Sequence, residues 1–148
     1  MRRGILILAL ALLAPGLAPA PEAGPPEYKV VVANANPLAE ISRGELAKVF
    51  LKSVTRWKDG REIAPVDQSG RSAVRTEFTR DVLDSAGMSR ISAVESYWQQ
   101  QIYSGRGVPP PVKASDAEVV AFVAANPGGI GYVSAAADTA GVKVLQVR

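Results

Sequence analysis

The 148-residue chain has no cysteine and no histidine. The first absence excludes disulfides, thiolate nucleophiles, thiol–metal sites and lipid attachment through a cysteine. The second removes the usual general base and the commonest metal ligand. Serine is plentiful, but no G-x-S-x-G elbow and no Ser-x-x-Lys pair occurs to activate one. These gaps close most routes to catalysis, and no enzyme activity is expected. Long runs of one charge are also missing. The net charge of +3 comes from dispersed arginines and lysines, which suits a small anionic ligand and lacks the clustered basic face of a nucleic-acid binder.

Long apolar runs are scarce too. The one that stands out is at the start, in MRRGILILALALLAPGLAPAPEAGPPE, where Arg2 and Arg3 precede an apolar stretch from Gly4 to about Leu17 and then small residues and prolines. It is shorter than the roughly 20 residues a membrane span needs, and it reads as a secretory signal over residues 1–23. Ala18-Pro19-Ala20 fits a small-x-small cleavage site but is followed by Pro21, so cleavage after Ala23 competes and the mature start falls between 21 and 24. The flanking pattern of twin-arginine export is missing, which points to general secretion. Residues 24–148 then form one domain, large enough for a sizeable core. It is expected in the periplasm or outside the cell, with no membrane span after signal cleavage.

Periodicity divides the domain into elements. YKVVVA (28–33) is a nearly continuous apolar run, as in a strand covered on both faces. In ISRGELAKVFLK, Ser42 followed by Glu45 makes a capping box, and Leu46, Val49 and Phe50 recur at helical spacing. A turn at Lys58-Asp59-Gly60 precedes a strand over 62–66. Val74, Phe78 and Val82 mark a helix ending between Asp84 and Gly87, and Ser89 opens another whose Ile91, Val94, Trp98 and Ile102 share a face before Gly105. After the proline-rich GVPPPVK, Ser115 and Glu118 repeat the capping pattern, and strands follow over 130–134 and 142–147. The order β-α-β-α-α-α-β-β predicts an α/β sandwich with a small, mostly parallel sheet.

The stretch VDQSGRSAVRTEF (66–78) is where chemistry concentrates. A helix beginning near Ser72 offers unpaired N–H groups and the positive end of its dipole, and Gly70 lets a ligand approach the backbone. Ser69 and Ser72 add hydroxyls. Arg71 and Arg75, four apart, repel each other slightly unless an anion lies between them. The plainer reading makes Ser72 a helix cap, Ser69-Gly70 a turn, and the arginines partners of Asp67, Glu77 or solvent. Asn34 and Asn36 are a second polar cluster at the carboxyl end of the first strand, where ligands of open α/β sheets gather, although single asparagines beside a proline more often form only a turn. Trp57 and Trp98 read as packing. Asp81 and Asp84 read as a solvated helix face, and neither a metal nor a cofactor is expected.

Taken together, PLAEISRGELAKVFLKSVTRWKDGREIAPVDQSGRSAVRTEFTRDVL, then YW, GRGVPP and VVAFVAANPGGIGYV resemble the phosphate-binding proteins of bacterial ABC importers. They are still more similar to the short, single-lobe, exported relatives of those binders. The likeness runs from about Val30 to Val147. It implies one lobe of a type II periplasmic binding protein, three-layered, with helices flanking the sheet, and an oxyanion ligand, phosphate first. An ABC permease or a sensor is the implied partner. Full binders close two lobes on the ligand, so a second copy, forming a homodimer, or another partner would close this site.

In the family, a serine- and glycine-rich loop leading into a helix donates to phosphate, and Gln68 to Val74 match it here. Ser69 and Ser72 match its serines. Gln68 stands where the family has arginine, Gly70 where it has an acid, Ala73 where it has glycine and Val74 where it has threonine. The family's acid accepts the proton of hydrogen phosphate and helps exclude sulfate, and Asp67 is a candidate replacement for it. The expected oxyanion site is therefore Ser69, Gly70, Arg71, Ser72, Ala73 and Arg75. Ser69 and Ser72 would donate hydroxyl bonds, Gly70 and Ala73 backbone N–H groups, and Arg71 or Arg75 the compensating charge. The alternative expectation is a non-catalytic envelope interaction module that keeps the lobe without the ligand.

Overall fold

The computed structural model describes residues 27–148 together with Gly16. The expected signal segment and its cleavage positions lie outside the described residues, Gly16 apart. A five-stranded sheet has the order β2-β7-β1-β6-β3, built from β1 (Tyr28–Val32), β2 (Glu40–Ile41), β3 (Ala64–Pro65), β6 (Gly129–Ser134) and β7 (Lys143–Val147). A separate pair joins β4 (Asp67–Gln68) to β5 (Val112–Lys113) in parallel. Four helices cover the sheet: α1 (Arg43–Phe50), α2 (Ala73–Val82), α3 (Ile91–Tyr103) and α4 (Asp116–Ala125). A 3-10 turn, Leu83–Ala86, extends α2 and stops at Gly87 with φ 76°.

The α/β, three-layer class is as expected, but the sheet is mixed. β1 lies antiparallel between β6 and β7, while β2 joins β7 and β3 joins β6 in parallel. Four strands therefore share one direction and the central β1 opposes them, which makes the longest ladders antiparallel. A continuous apolar run carries no directional signal, so the sequence could not reveal this. β2 and β5 were not expected either, because two residues are too few to show a period.

The run YKVVV is apolar throughout because both faces of β1 are buried. Tyr28, Val30 and Val32 join the larger core with α1, α2 and α3, and Val31 joins a smaller core under α4. The larger core is aromatic: Phe78 stacks on Tyr132 with ring centroids 3.9 Å apart, and Phe50 meets Phe78 edge-on at 4.8 Å. The smaller core is made of valines: Val31, Val66, Val119, Val123 and Val133. Gly131 lets this layer close, since a Cβ there would lie 2.7 Å from Val119 and 2.8 Å from Val66.

Helix starts follow the local sequence with one correction. Ser42 and Glu45 form the full capping box of α1, and Ser115 accepts from the Glu118 amide at the start of α4. Ser89 does not cap α3; the N-cap position is Arg90 and makes no side-chain bond. Val94 and Trp98 are buried on α3, Ile91 is half-buried, and Ile102, expected on the same face, is exposed.

Candidate functional site

β3 and β6 run parallel, so their carboxyl ends reach the same edge of the molecule. There the chain leaves β3 through Val66, passes through Asp67-Gln68 and turns into α2, while β6 ends at Ser134 beside the start of α4. Between them lies a shallow depression of about 400 Å³ lined by Gln68, Ser69, Arg71, Ser72, Ala114, Ser115, Asp116 and Ser134. The convergence of strand ends and helix starts at one edge is the usual place for a ligand in an open α/β sheet.

The two helix starts at this depression differ. α4 is closed by its own side chains: Ser115 Oγ accepts from the Glu118 amide at 3.2 Å, and Glu118 Oε2 accepts from the Ala114 amide at 2.8 Å. α2 has no side-chain cap bond and no acid in its first turn. Its Ser72 Oγ instead donates to Gln68 Oε1 at 3.1 Å. Among the described residues, the Ala73 and Val74 amides have no acceptor, which leaves the positive end of α2 open.

Beneath the loop a polar network holds its shape. Arg75 is 9% exposed; its Nη2 lies 3.3 Å from Asp67 Oδ2 and its Nη1 donates to the Gln68 carbonyl at 3.0 Å. The Tyr132 hydroxyl donates to Asp67 Oδ1. Burial, reinforced by the Asp67 charge and hydrogen bond, pushes that hydroxyl far above its ordinary value, so it stays a donor. The Gln68 side chain is 2% exposed, and its Nε2 donates to Asp116 Oδ1 at 2.8 Å and to the Tyr132 carbonyl at 2.9 Å. Burial raises the Asp116 carboxyl, but hydrogen bonds from Gln68 and Ser134 outweigh it and hold the group below the ordinary carboxylate range.

Of the six expected site residues, Ser69, Arg71 and Ser72 line the depression, and Gly70, Ala73 and Arg75 do not. Ser72 does not donate outward, because its proton goes to Gln68. Arg71 is exposed and, among the described residues, forms no ion pair. Arg75 turns inward to Asp67, so the two arginines do not flank a common point. Gly70 has no positive φ, and a Cβ there would meet only Arg75 Nη1 at 3.7 Å, so its backbone does not require glycine. Asp67 is half-buried within the network and Asp116 is the carboxylate at the depression. Asn36 lies at the opposite edge and Asn34 donates to the Gly141 carbonyl, because β1 is antiparallel to β6.

A family model described as a PBP superfamily domain matches residues 27–145. The chain belongs to the PBP superfamily. Solved structures share the fold of this PBP domain. An ABC-type phosphate transport receptor from Vibrio cholerae superposes with a TM-score of 0.59 at 22% identity, over 82% of this chain and 46% of that one. A putative phosphate ABC transporter substrate-binding protein with bound phosphate from Clostridium perfringens gives 0.61 at 18% identity, over 82% and 46%. PstS from Borrelia burgdorferi gives 0.64 at 18%, over 82% and 47%. The PBP domain thus spans under half the length of these structures. No curated protein matches it significantly.

Gln68, Ala114, Ser115, Asp116 and Ser134 line the depression of the PBP domain but were not in the site expected from the sequence. Ser115 was legible as a cap, but nothing in SDAE shows that this helix start meets the loop of α2. A larger cavity of about 540 Å³ lies at the opposite edge, between Asn36–Ile41, α1 and the turn that carries Trp57. Trp57 is held there by a bond from its Nε1 to the Gly128 carbonyl at 3.1 Å.

Proposed function

We propose that the chain is an exported, non-catalytic solute-binding protein that takes phosphate or a related oxyanion at the depression before α2. The uncapped start of α2 carries this reading: open amides at Ala73 and Val74, no acid in the first turn, and, in the depression just before it, an Arg71 that forms no ion pair among the described residues. An anion there meets both the helix dipole and a free cation. Two of the matching solved structures, one named as a phosphate transport receptor and one as a putative phosphate ABC transporter substrate-binding protein with bound phosphate, support the choice of ligand. Residues 1–23 as a secretory signal would deliver the domain to the periplasm or beyond, beside an importer permease or a sensor.

In this reading Ser69 and Arg71 donate, and Asp116 takes the role for which Asp67 was a candidate. Asp116 is ionised and repels a fully deprotonated dianion, but it accepts from an oxyanion that keeps a proton. Phosphate keeps one at neutral pH and sulfate does not. Isothermal titration of residues 24–148 with each anion tests this: phosphate should bind more tightly than sulfate, and no binding of either at millimolar concentration to folded protein sinks the proposal.

A second reading, an interaction module without a ligand, draws on the internal satisfaction of Gln68, Ser72 and Arg75. It expects flat titrations with both anions and retention of the folded domain by another envelope protein.

A further inference from the structure

We infer that Gln68 fixes the hydrogen-bond polarity of Ser72, so that this hydroxyl presents lone pairs and no proton to the occupant of the depression. The inference rests on the oxyanion reading above and adds a positioning residue to it.

The orientation of the Gln68 amide follows from its neighbours. One end lies 2.8 Å from Asp116 Oδ1 and 2.9 Å from the Tyr132 carbonyl oxygen, and both of these are acceptors. Only the NH₂ end can face them, and it has two protons for two acceptors. The amide oxygen must then face Ser72 Oγ, 3.1 Å away. An amide oxygen cannot donate, so Ser72 supplies the proton, and a serine hydroxyl has one to give. Gln68 is 2% exposed, so reversing the amide would set its oxygen against two buried acceptors and leave them without a donor.

Two consequences follow for a ligand. Ser72, expected as a donor, accepts, and the free oxygen of Asp116 on the other helix also accepts. The donors, namely Ser69, Arg71 and the open amides of α2, lie on the loop side. An oxyanion that bears an O–H donates it to one of these acceptors while its other oxygens accept on the loop side, whereas a fully deprotonated one leaves both Ser72 and Asp116 facing its negative oxygens.

Chemical-shift titrations of ¹⁵N-labelled residues 24–148 with phosphate and with sulfate test the inference, since they read millimolar affinities. In Gln68→Met the Ser72 proton is released, and the ratio of sulfate Kd to phosphate Kd should fall at least fivefold. Adding Ser72→Ala to that variant should abolish the sulfate gain. An unchanged ratio in folded Gln68→Met overturns the inference and leaves oxyanion binding standing. A parent chain that binds neither anion overturns both. Should Gln68→Met fail to fold, Ser72→Ala alone decides. Phosphate affinity should then drop at least threefold with sulfate changed less than twofold, and an equal or larger loss for sulfate overturns the inference.

Discussion

Ser42 and Ser72 each precede a helix and each donates its hydroxyl proton to a nearby side chain, yet only Ser42 also caps its helix. Ser42 accepts from the Glu45 amide, and Glu45 returns a bond to the Ser42 amide, so the start of α1 is closed. Ser72 turns its proton to Gln68 and leaves the start of α2 without a cap. The residue three places on decides between them. Glu45 can reach back to the cap, whereas Arg75 carries the wrong charge for that and folds under the loop to Asp67. One serine stabilises a helix, and the other belongs to a helix whose donors remain free for an anion.

The comparison breaks most severely if the support under α2 is removed. Arg75→Ala leaves half-buried Asp67 without its cation and should cost about 2 kcal/mol in urea unfolding, with anion binding lost as the loop relaxes. The same substitution at exposed Arg71 should leave stability within about 0.5 kcal/mol, while phosphate affinity falls roughly tenfold, about 1.4 kcal/mol, and the fall shrinks with added salt. Alkaline unfolding separates the two helix starts further. The raised Tyr132 pKa means that its contribution to stability is complete below the ordinary value of 10 and declines above it, as the unfolded tyrosine ionises and the folded one does not. Tyr132 should remove about 1.4 kcal/mol of stability per pH unit there. Tyr28, whose hydroxyl pKa is also raised by burial and by Asp81, adds its own loss. Tyr132→Phe should therefore reduce the slope by about 1.4 kcal/mol per pH unit and leave the Tyr28 part. Ser42→Ala is the mildest test: about 1 kcal/mol of stability lost, and phosphate titrations unchanged.

Acidification reverses the sign for Asp116. Its carboxyl is held below the ordinary value of 3.8, so its contribution is present above that pH and disappears as pH falls through the lowered folded value.

Much of the fold was legible because its signals are local. Ser42 with Glu45 and Ser115 with Glu118 announce α1 and α4, and the spacing of Val74, Phe78 and Val82 announces α2 with the face it buries. Strand direction is not local, so β1 could be placed but not oriented, and the edge reached by the asparagines at its end could not be read, although the turn they form was. The site was legible only in part, and for the same reason. Ser69, Arg71 and Ser72 sit in one loop, whereas Asp116 and Ser134 reach it from elsewhere in the chain. Gln68 was harder still, because a glutamine's role depends on which acceptors its amide meets, and Tyr132 and Asp116 are brought to it only by folding.

The central strand has a consequence in time. Tyr28 pairs with Ser134, and Val32 with Lys143, so the strand that begins the described chain waits for partners near its end. Contacts this distant in sequence slow folding. Until β6 and β7 arrive, Val30, Val31 and Val32 form an apolar strand with both edges unpaired, the kind of segment that invites association with other chains. A chain with this wiring emerges from synthesis with its middle strand exposed, and completes its sheet only once β6 and β7 have appeared.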